Sequence, residues 1–463
     1  MKKFFLKHFS LIFLIAIGLV IRTINIGWGS PFFFHPDERN IASSITQLSF
    51  PTQMNPHFFA YGSLPIYVSY FLSLFYLNFS TKSVPFDLAI LIMRFISAVL
   101  SVSIIPSIYY IGTKLKNSTT GIIAAVLTTF STGLIQFAHF GTFEIWLTFL
   151  TLWFFYFCIQ LLKKQNIKNV FLCSVFFGLL LAIKISSLAL LIIPLSIILF
   201  SFFSFSSKLK FIKYCCLSFI IFIFISFLIV FVSNPFSFFD YVGFLGSIHY
   251  ETAVALGTLP VFYTNEFIHS VPILFQFLYI YPFLLNPVIT ILFLICFFFV
   301  LLFAIGEKSK TYFLLLFFFL ITFLSQAFLF VKWTRYIVPT LPFIYLIIAL
   351  VFTYFIDSTK NIISKISQGI LFFAIIVSCI ISLAYTLTVY ASQDSRIYAA
   401  NLAAATINKS TPILSEIYDL GIISFNPYFS NIKLFDFYNL SSFSLPELSQ
   451  NLTDSQYIIE PSQ

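Results

Sequence analysis

Charge is what this sequence has least of. Only 9% of its 463 residues are charged and 16 are acidic, while 60% are hydrophobic. A soluble domain of this length needs a charged skin, so that class is excluded. The short alternating strands of a membrane barrel are missing as well. Cysteine is sparse. Cys158, Cys173, Cys215, Cys216, Cys296 and Cys379 all lie inside apolar runs, without metal-ligand spacing or loop pairing. They read as small core residues, and no metal site is expected from them. There is no internal repeat and no low-complexity linker. The net charge of +9 does not point to nucleic acid, because most lysines sit in short connectors between apolar runs.

What is present is hydrocarbon-compatible helix. Apolar runs near the length of a bilayer span recur from end to end, giving an all-α polytopic membrane protein. The expected spans are 8–26, 88–112, 118–137, 144–162, 169–184, 186–204, 211–232, 286–304, 311–330, 336–356 and 368–390, eleven in all. The first, with its basic start, reads as an uncleaved helix rather than a signal peptide. Segment 63–79 is apolar too, but counting it would reverse every later loop, so it is expected as helix at the outer surface. The run 169–205 is too long for one span. At 1.5 Å per residue it would reach about 55 Å, against a hydrocarbon core of about 30 Å. It should break at Lys184-Ile185-Ser186-Ser187.

With the N-terminus inside, the basic connectors around Lys114, Lys163, Lys208, Lys308 and Lys360 all fall in the cytoplasm. The unusual residues then gather outside, in 27–87, 139–144, Lys184, 234–286 and 332–335. The expected division is a catalytic membrane region, 1–390, with its first outer loop at 27–87, and a small extracytoplasmic region, 391–463. The latter is polar and holds a strand-like stretch, ILSEIYD.

The first outer loop carries His35-Pro36-Asp37-Glu38. Proline at the first helical position and acids in the first turn suit a helix N-terminus. A carboxylate held at the membrane face also suits a general base that takes a proton from a hydroxyl. A second acidic corner, His139 to Glu144, is a capped turn or a site that positions an acceptor or a metal ion. Lys184, Lys332 and Arg335 are outer-face cations. They either anchor at the interface or clamp the phosphate of a lipid carrier. His35, His57, His249 and Glu251 complete the outer-loop candidates.

The acidic pair after a first span, followed by Asn55-Pro56-His57-Phe58-Phe59-Ala60-Tyr61-Gly62-Ser63-Leu64-Pro65, resembles the bacterial protein-mannosyltransferase-like glycosyltransferases. These form glycosyltransferase family 39 of the GT-C superfamily. Arg94 to Leu100, Gly178 to Lys184 and Lys332 to Pro339 are similar as well. The resemblance implies a GT-C-type bundle and inverting sugar transfer outside the cytoplasmic membrane. It implies a polyprenyl-phosphate-linked donor, with Asp37 catalytic and Glu38 its neighbour. Glu144 stands where the family's second acidic position is usually Asp. A divalent cation is compatible with this but not required, and the acceptor is left open between protein, lipid and glycan. A flippase for lipid-linked sugars, or a polysaccharide ligase or polymerase, are the competing readings.

Overall fold

A computed structural model describes residues 2–81, 83–200, 207–358, 360–438, 440–441 and 443–459. The chain runs through α1 (Lys2–Thr23), α2 (Pro36–Thr46), α3 (Leu64–Tyr76), α4 (Phe86–Leu115), α5 (Ser118–Thr129), α6 (Thr132–Ala138), α7 (Glu144–Lys163) and α8 (Ile167–Leu181). A 3-10 stretch, Ile185–Leu191, leads into α9 (Ile192–Phe200). Then come α10 (Lys208–Ser233), α11 (Phe236–Phe239), α12 (Tyr241–Leu256), α13 (Tyr281–Leu284), α14 (Pro287–Gly306), α15 (Lys310–Ala327), α16 (Thr334–Ile337), α17 (Leu341–Ile356), α18 (Asn361–Tyr385) and α19 (Ser395–Thr406).

Among the described residues, seven helices are long and apolar enough to cross a membrane, or eight if the bent pair α5–α6 is one span. Phe9–Thr23, Ile167–Leu181 and Ile185–Phe200 are shorter apolar helices at three further expected spans. Each of the eleven expected segments therefore coincides with helix. Residues 201–204, the end of one expected span, lie outside the described residues. The long run breaks after Leu181 and resumes at Ile185, where the length argument requires. Helix α17 is apolar all round and forms the bundle centre, with Leu341 to Thr353 buried throughout.

The loops collect at two ends. At one, four of the connectors supply a polar cap: Asn117 accepts from Thr120 N, Asn166 from Asn169 N, Ser207 from Lys210 N and Ser309 from Tyr312 N. These side chains satisfy amides that the first helical turn leaves unpaired. Lys116 reaches Asp357 here, at 3.6 Å. The other end holds the first loop, the corner before α7, the break at Lys184, and the start of α16.

The C-terminal region is a small α/β unit. Strands β1 (Ile413–Glu416), β2 (Ile432–Phe435) and β3 (Tyr457–Ile459) form a parallel sheet in the order β2-β1-β3, with α20 (Leu445–Asp454) before β3. Strand β1 is the first half of the ILSEIYD stretch. Ala400, Ile413, Ile422, Phe425 and Phe429 give the unit its own core. It leans on the second end, where Tyr418 stacks on Phe262 at 4.1 Å.

Candidate active site

Two acids that are adjacent in sequence are separated by the helix that carries them. Consecutive residues in α2 point about 100° apart, so one acid faces in and the other out. Glu38 faces in and is fully buried. Arg94 of α4 grips it with two bonds, Nε to Oε1 at 2.9 Å and Nη2 to Oε2 at 2.6 Å. Gly141 N–H donates to the same Oε1. The remaining Arg94 nitrogen donates to the carbonyls of Ile26 and Trp28, and the guanidinium lies 4.3 Å from the Trp28 ring. A Cβ on Gly141 would sit 2.9 Å from that of Met93, so the corner closes on Glu38 only with glycine there. Glu38 thus ties the first loop to α4 and to the corner before α7.

Asp37 faces out into a cavity of about 430 Å³. Lys184, Glu251, Arg335 and Tyr336 line the same cavity. Arg335 Nη1 pairs with Asp37 Oδ2. Arg335 Nε is buried with no partner among the described residues. The Lys184 ammonium lies 4.2 Å from the Tyr336 ring and 5.6 Å from that of Tyr61.

The walls are set by backbone docking. Gly62 N–H donates to the Ile183 carbonyl at 2.8 Å, and a Cβ on Gly62 would meet the Ala182 carbonyl oxygen at 2.0 Å. Only glycine permits that approach. Asn234, at the end of α10, accepts from Ser63 N at 2.8 Å and Leu64 N at 3.2 Å. These bonds seat the first loop on the break before Ile185 and bring Tyr61 beside Lys184.

The other sequence candidates separate. Glu251 joins the cavity, where partial burial raises its carboxyl above the usual range and Lys184 opposes the rise. Glu144 lies behind it, 2% exposed, with neither carboxylate oxygen partnered among the described residues. Lys332 does not join Arg335. Its ammonium donates to the Phe330 carbonyl at 2.9 Å, and burial lowers its pKa. His139 is a structural bracket, with Nδ1 2.8 Å from the Ile135 carbonyl and Nε2 3.0 Å from that of Ile24. Its ring stacks on Tyr390 at 3.6 Å. His57 sits at the rim, with Nδ1 3.7 Å from Asp240, and His249 is exposed outside the cavity lining. His35 packs edge-on against Phe140 at 4.6 Å and lines a different cavity. Among the described residues, no three or more His, Cys, Asp or Glu gather to hold a metal ion.

The sequence did not single out Tyr336, which lines the cavity beside Arg335, or Asn234, which seats the first loop. Tyr336 directly follows Arg335, and Asn234 opens the loop after a long span. Both signals were present, but partners far away in sequence decide what they do.

Residues 63–233 match the family model described as dolichyl-phosphate-mannose-protein mannosyltransferase. No curated protein sequence matches the chain. Among solved structures, ArnT from Cupriavidus metallidurans bound to undecaprenyl phosphate is similar at a TM-score of 0.55 and 12% identity, covering 96% of this chain and 89% of that one. The Archaeoglobus fulgidus oligosaccharyltransferase tethered to an acceptor peptide is similar at a TM-score of 0.55 and 13% identity, covering 93% of this chain. The present chain spans 64% of that enzyme's length. Identities this low speak for the fold alone. The chain is a multi-pass membrane protein with the GT-C fold, and its match to the mannosyltransferase family over 63–233 bears out the resemblance read in its sequence.

Proposed function

We propose that the chain is an inverting glycosyltransferase. It moves a sugar from a polyprenyl-phosphate carrier to an acceptor hydroxyl at the outer face of the cytoplasmic membrane. The observation that carries this reading is that Asp37, Lys184 and Arg335 share one cavity. ArnT, solved with undecaprenyl phosphate, and the oligosaccharyltransferase, solved with a dolichol-phosphate, have the same fold and lend support.

The chemistry follows from the groups present. A lipid phosphate leaves as a stable anion, so it needs cations rather than a general acid, and Lys184 and Arg335 supply them. A hydroxyl is a poor nucleophile and needs a base, which is Asp37. In the structure Arg335 pairs with that base. A donor phosphate entering between Lys184 and Arg335 competes for the guanidinium and releases the Asp37 carboxylate. Asp37 then takes the acceptor proton as the acceptor oxygen attacks the anomeric carbon. The bond from that carbon to the phosphate oxygen breaks, and its electron pair leaves with the lipid phosphate. Attack from the face opposite the phosphate inverts the centre, and no second carboxylate is needed across the bond. Glu38 acts as a positioning residue, holding the α2 N-terminus against α4.

Mass spectrometry of lipid-linked sugars and envelope glycans tests this. In cells lacking the protein, a lipid-linked monosaccharide should accumulate and one glycan modification should vanish. Wild-type protein should restore the modification and Asp37→Asn should not. Unchanged profiles, or rescue by Asp37→Asn, would refute it.

A further inference from the structure

We infer that a second cavity, across the His35–Asp37 segment from the first, seats a neutral carbohydrate portion of the acceptor. This rests on the transferase reading above. The cavity measures about 500 Å³, within the usual range for small-molecule sites. Trp28, Phe34, His35, Gln136, Tyr385 and Arg396 face it. His35 and Pro36 line this cavity and Asp37 lines the other, so one short stretch of chain is the wall between them. An acceptor must approach the anomeric carbon from the side away from the departing phosphate. With the phosphate held by Lys184 and Arg335 in the first cavity, the body of the acceptor takes the space beyond the His35–Pro36 wall and only its reacting hydroxyl reaches Asp37.

The second cavity is nearly neutral. Arg396 forks onto Asp394 with bonds of 2.9 and 2.7 Å, and its guanidinium lies 4.0 Å from the Phe34 ring. Trp28 Nε1 is tied to the His139 carbonyl at 2.9 Å. The one cation is therefore already matched by a carboxylate, which disfavours a second phosphate site. Among the described residues the lining belongs to helices and loops, and no strand edge there borders the cavity to take an extended peptide. What it offers is directional and uncharged. Gln136 and Gln393 present side-chain amides in its lining, and the buried Nδ1 of His35 has no partner among the described residues. Groups that both donate and accept, set among aromatic rings, match the equatorial hydroxyls and apolar C–H face of a sugar.

The test uses the full chain in nanodiscs and saturation-transfer NMR. The probes are methyl mannopyranoside and methyl glucopyranoside, a monoglycosyl diacylglycerol in the disc, and a threonine-containing hexapeptide. Binding of undecaprenyl phosphate is measured in parallel. At least one glycoside or the glycolipid should bind, and Gln136→Ala/Gln393→Ala should weaken that binding at least fivefold. The same variant should leave undecaprenyl phosphate binding unchanged. Signal from the free glycosides identifies a soluble glycan as the source. Signal from the glycolipid alone identifies a lipid headgroup. Asp37→Asn should keep glycoside binding, because it alters only the first cavity. The inference is overturned if no sugar probe binds, if the paired substitution leaves binding intact, or if only the peptide binds. Loss of undecaprenyl phosphate binding by wild-type protein would instead strike the transferase reading and leave the sugar result standing.

Discussion

The two ends of the bundle use charge in opposite ways. At the connector end, cations such as Lys116 pair with partly exposed partners, and the polar side chains cap helices. At the other end, charges are buried, gripped or aimed into a cavity, as with Glu38–Arg94 and Asp37–Arg335. Desolvation makes the second arrangement costly, and a folded chain keeps it only where the geometry is good or the charge has a task. The contrast is what the proposed transferase reading rests on.

Within that end, Glu38 and Asp37 divide structure from reactivity, and substitution should separate them. The largest effect is expected from Asp37→Asn, which should lower sugar transfer by about 10²–10⁴-fold with the protein still folded and inserted. Arg94→Ala should act on stability instead. Leaving Glu38 buried without its cation should cost about 3–5 kcal/mol, seen as a large drop in melting temperature in detergent. Arg335→Gln should lower transfer by about 10²–10³-fold. Because it also frees Asp37, carbodiimide labelling of Asp37 should rise in that variant.

A smaller effect concerns pH. Burial holds the His35 imidazole at about 4, with Arg335, Arg94 and Arg396 adding to the depression and Glu38 opposing it. The unfolded chain, near the ordinary 6.5, binds a proton that the folded chain refuses. This contribution is therefore present in full above pH 6.5 and is lost as pH falls toward 4. Replacing His35 by Phe should flatten that part of the melting-temperature profile. The smallest effect belongs to the opposite end, where Lys116→Ala should change stability by about 0–1 kcal/mol and leave transfer untouched.

The fold was legible because membrane helices advertise themselves. Length and polarity alone placed a break at Lys184-Ile185-Ser186-Ser187 and a span at 336–356, where the structure has a break after Leu181 and helix over Thr334–Ile356. Asp37 and Glu38 were legible as an acidic pair, and only the family resemblance distinguished them; the residues alone do not say which one turns inward. That Glu38 turns inward depends on Arg94 and Gly141, which lie 56 and 103 residues away. Lys332 and Arg335 looked equivalent in sequence. A local bond to the Phe330 carbonyl withdraws the first and leaves the second in the cavity. The second cavity was invisible for the same reason, since Trp28, Gln136 and Arg396 meet only through the fold.

The most direct measurement compares wild-type and Asp37→Asn proteins in matched nanodiscs. It follows radiolabelled sugar passing from a polyprenyl-phosphate donor into envelope acceptors, alongside binding of undecaprenyl phosphate. The account predicts that both proteins bind the lipid phosphate and that only the wild type transfers sugar. Transfer by Asp37→Asn at close to the wild-type rate would contradict it.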